Sequence, residues 1–280
     1  MPLIYQGHLA EARRHLETGL ALYDPDRHAA HAFAYGQDPL VGGLGFLSWT
    51  LVMQGHAAQA LAAVERSLRR AESLGHAFSR ALALYFSALV KELCGDHAAT
   101  LGDAARLVAL AREHQFPFWL AGGMGLQGRA LAAQGRHAEG LALMTQGLET
   151  WRATGAGTAG MYFLRNVAEA YRDVGAADKA LAVIEEGLAA AERNDYRAGE
   201  PELHRLRAEI LAEHACTSEE AEEAFRRAMT LAHRHGAFLF ARRAADGFAR
   251  YLRQRGRDAE ADQVLTETPL EPEETEGERP

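Results

Sequence analysis

The chain has 280 residues, of which 48% are hydrophobic and 24% are charged, and its formal net charge at pH 7 is −8. This composition is sufficient for a folded protein. It contains no block of lysines and arginines, which excludes the electrostatic footprint of a nucleic-acid-binding protein. No apolar run approaches the roughly 18–20 residues of a membrane span. We therefore expect a cytoplasmic protein that binds neither nucleic acid nor membrane.

The first predicted element is part of a helical hairpin. Only residues 2–6 precede Gly7, and the apolar pattern after this glycine predicts one helix over about residues 9–22. A repeat unit without its first helix leaves an apolar face uncovered, so we expect the chain to begin inside a longer array. An irregular segment follows, and Asp38 before Pro39 is typical of a helix N-cap.

Four regular units come next, with a glycine every forty residues. A small residue and then an apolar residue follow three of the glycines by five and six positions, with Thr100-Leu101 as a looser copy after Gly95. Further apolar residues at spacings of three and four define one helical face. Such a fixed period predicts a stack of identical supersecondary units. Each unit is a helix of about sixteen residues, a tight turn and a second helix. The glycines are Gly55, Gly95, Gly135 and Gly175.

The last two units are less regular. The glycine is lost near residues 215–217, although Ala221 and Phe225 keep the apolar pattern, and Gly256 marks the final turn. The prediction is an all-α solenoid over residues 1–265, with about six full hairpins and one partial unit. Residues 266–280 contain six glutamates and one arginine, and this composition predicts a disordered acidic tail.

The repeat motif resembles the tetratricopeptide (TPR) repeat. The likeness is carried by Gly-Arg-His-Ala-Glu-Gly-Leu at residues 135–141 and Gly-Ala-Ala-Asp-Lys-Ala-Leu at residues 175–181. A period of forty is longer than the usual period of about 34 and is similar to that of MalT-type arrays. Residues 35–39 and 202–206 further resemble the C-terminal region of bacterial proteins that join a class III adenylate/guanylate cyclase to an AAA-type ATPase. The resemblance implies a right-handed solenoid that serves as a regulatory or sensor arm.

No pattern of catalytic, cofactor-binding or metal-binding residues is evident in the sequence. The phosphate loop Gly-x-x-x-x-Gly-Lys-Ser/Thr is absent, and the pairs His28/His31 and His233/His235 lack a third ligand at metal-site spacing. We therefore predict no catalytic residue, no cofactor and no metal, and expect that the protein is not an enzyme. Cys94 and Cys216 fall in turns of different units, so we expect buried free thiols.

A binding surface is a better candidate. In TPR-like stacks the first helices line the concave face, and here one stripe on these helices is not used by the packing positions of the repeat. The stripe is aromatic or apolar in the early units and charged in the later ones, which suits an extended or helical segment of a partner protein. One candidate for that partner is a cyclase or ATPase domain of the parent protein. The candidate residues are Trp49, Tyr85, Arg129, Tyr162, Arg165, Glu169, Arg205 and Glu209.

The stripe also has a purely structural interpretation. Arg165/Glu169 and Arg205/Glu209 are i,i+4 pairs, which as exposed intrahelical salt bridges contribute only about 0.3–0.5 kcal/mol each. The aromatic residues would then belong to the core between repeats. If the stripe binds a partner instead, Arg165→Glu combined with Arg205→Glu abolishes capture and leaves helicity and melting temperature unchanged.

Three functions remain open from the sequence. The first is a non-enzymatic protein-interaction scaffold, the regulatory arm of a bacterial cyclase–ATPase signalling protein. The second is a MalT-like array of a transcriptional regulator, in which a small molecule settles inside the superhelix. The third, an independent enzyme subunit, has the least support in the sequence.

Overall fold

The computed structural model describes residues 2–28, 30–156, 160–214 and 218–268 of the chain. Within these ranges there are sixteen α-helices and no strand, which confirms the predicted all-α class. The helices are α1 (Pro2–Tyr5), α2 (Leu9–Ala21), α3 (Pro25–His28), α4 (His31–Tyr35), α5 (Pro39–Met53), α6 (Ala57–Leu74), α7 (Ala77–Leu93), α8 (His97–Glu113), α9 (Pro117–Ala133), α10 (His137–Ala153), α11 (Gly160–Asp173), α12 (Ala177–Asn194), α13 (Glu200–His214), α14 (Ser218–His235), α15 (Phe238–Arg253) and α16 (Asp258–Thr266).

Helices α5 to α16 form six consecutive hairpins, from α5/α6 to α15/α16, and α1/α2 is the partial unit. Each second helix packs on the first helix of the next hairpin. The first helices α5, α7, α9, α11, α13 and α15 also pack on one another in this order. They therefore form a continuous inner layer, and the predicted solenoid of helical hairpins is confirmed.

The periodic glycines are required by the turn between the two helices of each hairpin. Gly55 and Gly135 have φ angles of +90° and +85°, a left-handed conformation that glycine adopts without the steric cost of a Cβ. The backbone N–H of the next residue then reaches back into the helix. His56, for example, donates to the carbonyl of Leu51 at 2.9 Å, which satisfies one of the free carbonyls at the helix end.

The irregular segment before the first full hairpin contains the short helices α3 and α4. Asp38 then caps α5 as predicted, because its Oδ1 accepts from the backbone N–H groups of Leu40 and Val41, both at 3.0 Å. Its Oδ2 accepts from the Tyr23 hydroxyl at 3.0 Å and from Arg70 at 3.1 Å. A single buried carboxylate thus attaches this segment to α5 and α6.

The N-terminal helix α1 lies against the C-terminal half of the solenoid. The backbone N–H of Ala198, between α12 and α13, donates to the carbonyl of Tyr5 at 3.0 Å. Ile4 is buried and belongs to the same apolar cluster as Phe240 of α15. Helix α15 also packs on α5. The described solenoid therefore closes on itself, with its first helices around a common interior.

Three expectations concern the ends and surface of the chain. Helix α16 runs through Thr266, one residue past the predicted boundary, and the remainder of the predicted acidic tail, residues 269–280, lies outside the described residues. Cys94 is exposed, so the expectation of a buried thiol is wrong there, and Cys216 lies outside the described residues. None of the described helices combines the length and the hydropathy needed to cross a membrane.

Candidate functional site

The eight candidate residues lie on five successive first helices, α5, α7, α9, α11 and α13. Seven of them line two adjoining cavities inside the solenoid. Trp49, Tyr162 and Arg165 line an apolar cavity. The second cavity is polar and is lined by Arg129, Arg165, Glu169, Arg205 and Glu209.

Tyr85, the eighth candidate, belongs to the core between repeats. It is buried, and its ring centroid lies 5.5 Å from those of both Phe86 and Trp119. A Cβ at Gly122 of α9 would lie only 2.8 Å from the Tyr85 ring, so this glycine permits the close approach of α9. The core interpretation is therefore correct for Tyr85.

The apolar cavity has a volume of about 60 Å³ and is lined mainly by aromatic and aliphatic side chains. Tyr5 of α1 closes it, since its ring packs edge-on to Trp49 at 5.5 Å and against Tyr196 at 5.2 Å. Burial, together with the neighbouring Tyr196, raises the pKa of Tyr5 to about 12. Further lining residues are Met53, Leu93, Met161 and Phe240.

Four glutamates and four arginines of α7, α9, α11 and α13 form a closed ring of alternating charge beside this cavity. The ring residues come from four different hairpins, so it connects the repeats through their inner layer. In order around the ring, the links are Glu92–Arg165 (3.1 Å), Arg165–Glu202 (3.5 Å), Glu202–Arg205 (2.8 Å), Arg205–Glu209 (2.8 Å), Glu209–Arg172, Arg172–Glu169 (3.6 Å), Glu169–Arg129 (2.9 Å) and Arg129–Glu92 (3.7 Å).

The ring corrects the expectation of exposed intrahelical salt bridges. Arg165 is 4% exposed, and its ion pairs are with Glu92 of α7 and Glu202 of α13. Arg205 does pair with Glu209 on its own helix, but it is buried as well. Reversing the charge of Arg165 and Arg205 would place buried carboxylates beside the existing ones. The melting temperature of this double variant would therefore fall. A loss of partner capture in it would not distinguish a binding role of the two arginines from a structural one.

Three carboxylates of the ring, those of Glu92, Glu169 and Glu202, have pKa values below the usual range of a glutamate and are ionised at neutral pH. Burial acts to raise the pKa of Glu169, but Arg129 and Arg165 more than offset it and lower this pKa to about 2. The pKa of Glu202 is likewise well below its usual range, because Arg205 and Arg243 outweigh burial. These three glutamates therefore present permanent negative charges rather than groups that exchange protons near pH 7.

Sequence reasoning missed two residues at the centre of the ring, Glu92 and Glu202. The Tyr162 hydroxyl donates to Glu92 Oε2 at 2.9 Å, and three arginines lie within 4 Å of Glu202. One sequence signal was available: Arg129 has no acidic residue three or four positions away on its own helix. Such an arginine on an inner face indicates an acidic partner on a neighbouring helix.

The polar cavity has a volume of about 280 Å³ and also borders Arg243, Asp246 and Arg250 of α15. It shares Arg165 with the apolar cavity. A wider opening of about 650 Å³ shares Glu209 and Arg250 with the polar cavity and extends to Glu213. We call the apolar cavity, the polar cavity and this opening together the interior tract.

Several buried polar atoms at the ring are unsatisfied. Within the described ranges, Nε of Arg129, Nε of Arg165, Nδ2 of Asn166 and Oε2 of Glu169 have no hydrogen-bond partner. Unpaired buried donors carry a free-energy cost that a bound acceptor would remove. The described part of the chain contains no group of three or more His, Cys, Asp or Glu residues suited to a metal ion. The tract therefore offers recognition of polar and acidic groups next to apolar surface.

This fold and site define a class of protein: a solenoid of helical hairpins whose interior is lined by an apolar and a polar cavity. No family model matches the chain. It is 27% identical over 239 residues to an uncharacterized protein of Rhizobium meliloti (strain 1021), a match that covers 85% of this chain and 23% of that protein. The chain thus spans less than a quarter of the length of this relative.

Solved structures of similar fold are TPR-like helical-repeat proteins. The apo form of RapI has a TM-score of 0.62 and 12% identity, and the match covers 91% of this chain and 87% of RapI. A Rap protein complexed with Competence and Sporulation Factor has a TM-score of 0.63 and 12% identity, covering 81% and 62%. Bacillus thuringiensis PlcR in complex with the peptide PapR7 and DNA has a TM-score of 0.57 and 13% identity, covering 79% and 72%. These similarities show the fold.

Proposed function

We propose that the protein is a non-enzymatic interaction scaffold that binds a peptide segment of a partner protein in its interior tract. The observation that carries this proposal is the continuity of the tract, in which an apolar cavity adjoins an arginine-walled polar cavity. A peptide offers apolar side chains to the first and carbonyl or carboxylate oxygens to the second. Support comes from two proteins of the same fold, a Rap protein and PlcR, whose structures contain Competence and Sporulation Factor and PapR7.

We further propose that this scaffold is the regulatory arm of a larger bacterial signalling protein that joins a nucleotide cyclase to an AAA-type ATPase. The repeat motifs resemble that architecture, and the chain spans 23% of its Rhizobium meliloti relative, as expected for one arm of a longer protein. The bound segment then comes either from another protein or from the ATPase or cyclase domain of the parent protein. The location that suits this role is the cytoplasm.

Selection from a random peptide library, followed by titration of the selected peptides, tests the binding function. We expect micromolar binding to the wild-type protein and a loss of at least tenfold in Glu213→Trp, because the indole obstructs the wide opening of the tract. Glu192→Trp is the matched control: it removes the same charge and adds the same ring on an exposed position of α12. No enrichment of any peptide, or equal affinity in both variants, would contradict the proposal.

A small-molecule sensor of the MalT type is the second candidate. The observation that favours it is the size of the apolar cavity, about 60 Å³ beneath Tyr5, which accommodates a small apolar group better than a folded partner. Thermal-shift screening separates the two candidates. A small apolar acid that raises the melting temperature, with no peptide selected from the library, would favour the sensor.

A further inference from the structure

The charges that line the polar cavity do not cancel. Its lining contains four carboxylates, those of Glu92, Glu169, Glu209 and Asp246, and five arginines, Arg129, Arg165, Arg205, Arg243 and Arg250. Arg243 of helix α15 donates to Glu202 at 3.2 Å, and Arg250 donates to Glu209 at a longer 3.4 Å. The polar cavity thus has one arginine in excess, in a protein whose net charge is −8.

Arg250 is the least engaged of these arginines. Its side chain is 64% exposed, and its one described ion pair is the 3.4 Å contact with Glu209. It borders both the polar cavity and the wide opening. Asp246 lies one turn away on the same helix, α15, which forms one wall of the polar cavity. It is already paired with Arg242 at 2.9 Å. This wall therefore has an accessible guanidinium group suited to an additional carboxylate.

The described chain ends next to this wall. The side chain of Arg242 donates to the carbonyl oxygen of Thr268 at 3.2 Å, and the same guanidinium group binds Asp246 of the polar cavity. Thr268 is itself buried. Residues 269–280, which follow, contain five glutamates and one arginine. An acidic segment is thus covalently attached beside a surface with an excess of arginine.

We propose that residues 269–280 of this chain bind in the polar part of the interior tract and compete there with the partner peptide. This inference rests on the proposed function, because it assigns a competitor to the same site. Glu271 is three residues from Thr268, a span of at most about 10 Å, so the first glutamate reaches the wall of α15. A segment on so short a linker has an effective concentration of about 1 mM, which makes even a weak contact competitive.

The test uses the full-length chain and a full-length variant in which Glu271, Glu273, Glu274, Glu276 and Glu278 are all changed to Gln. The probe is a fluorescent synthetic peptide with the sequence of residues 269–280, and the control probe has the same five Gln substitutions. Binding is followed by fluorescence anisotropy at low salt. We expect the acidic probe to bind the Gln variant at least tenfold more tightly than the wild type, and the control probe to bind neither.

Arg250→Ala in the Gln variant should weaken the acidic probe at least threefold. Arg69→Ala, which removes a similarly exposed arginine of α6 outside the tract, should leave the affinity unchanged. Equal affinity of the acidic probe for the wild type and the Gln variant, or no binding to either, would overturn the inference. In that event, library peptides that bind both forms equally would leave the proposed function standing, whereas a failure of every library peptide would remove that function as well.

Discussion

Glu202 is the most deeply buried of the four ring glutamates. Its side chain is 1% exposed and accepts from Arg205 at 2.8 Å, Arg243 at 3.2 Å and Arg165 at 3.5 Å. Removing one partner from a buried ion pair leaves the other charge uncompensated, which typically costs about 3–5 kcal/mol. Here three guanidinium groups would lose the same carboxylate.

We therefore expect Glu202→Gln to lower the free energy of unfolding by about 3 kcal/mol or more. The matched control is Glu186→Gln, whose carboxylate is exposed and pairs with Arg152, and which should change it by less than about 0.5 kcal/mol. Urea denaturation followed by circular dichroism measures both values. Equal midpoints for the two variants would mean that the ring does not stabilise the fold.

At this scale the sequence predicts which side chains share a face, but not their burial. The helical period places Arg165 and Arg205 on the inner stripe correctly. Their burial depends on Glu92 and Glu202, which come from other helices at sequence separations that no local pattern encodes. For the same reason, local i,i+4 pairing gave the wrong partner for Arg165.

Among the elements, the turn between α1 and α2 is constrained both by its backbone conformation and by a contact with a distant helix. Gly7 has a φ angle of +83°, like the other turn glycines. A Cβ added to it would also lie 2.7 Å from the ring of His235 at the end of α14. Gly135 has nearly the same φ, +85°, but faces open space. The two positions differ in whether the turn touches a distant helix.

Gly135→Ala should therefore cost about 1 kcal/mol of stability, from backbone strain alone. Gly7→Ala should cost about 1–3 kcal/mol more, because the new methyl group must displace the His235 ring. Chemical denaturation of both variants gives the comparison directly. If the two costs agree within error, the contact between α1 and α14 contributes nothing to stability.

The sequence predicts both turns from the same glycine signal, but it cannot distinguish them, since only the closed solenoid brings His235 to Gly7.

For the whole molecule, stability should depend on pH in two steps. Burial lowers the pKa of both His204 and His235 to about 4, and for His235 the neighbouring Arg234, His8 and Arg197 act in the same direction. A histidine with a folded pKa below its unfolded value of 6.5 favours the neutral form. It stabilises the fold fully above pH 6.5, and this contribution is lost as the pH falls toward 4.

Glu169 adds the second step. Its folded pKa of about 2 lies below the unfolded value of 4.5, so its contribution is present above pH 4.5 and is lost between pH 4.5 and 2. We expect the free energy of unfolding to be flat above pH 7, to fall from pH 6.5 to 4 and to fall further below 4.5. His235→Gln should flatten the first step, whereas the exposed His137→Gln should not. Identical pH profiles for the two variants would contradict the assignment of the first step to His235.

The overall architecture was the most predictable level. The forty-residue spacing alone gives the hairpins, their number and the inner layer of first helices, because these follow from contacts between neighbours in sequence. The closure of the solenoid was not predictable. It depends on the small rotation from one hairpin to the next, accumulated over six units, and no single residue reports that rotation.

Closure also has a consequence for the order in which the molecule is made. Hairpin contacts join residues within about one repeat and form quickly, whereas the hydrogen bond from Gln6 to Asp195 joins residues 189 positions apart. Such non-local contacts require the intervening chain to be ordered first and are slow to form. During synthesis from the N-terminus, helix α1 cannot make these contacts before α13 to α15 have been made. The interior tract is therefore complete only after the sixth hairpin has begun to form.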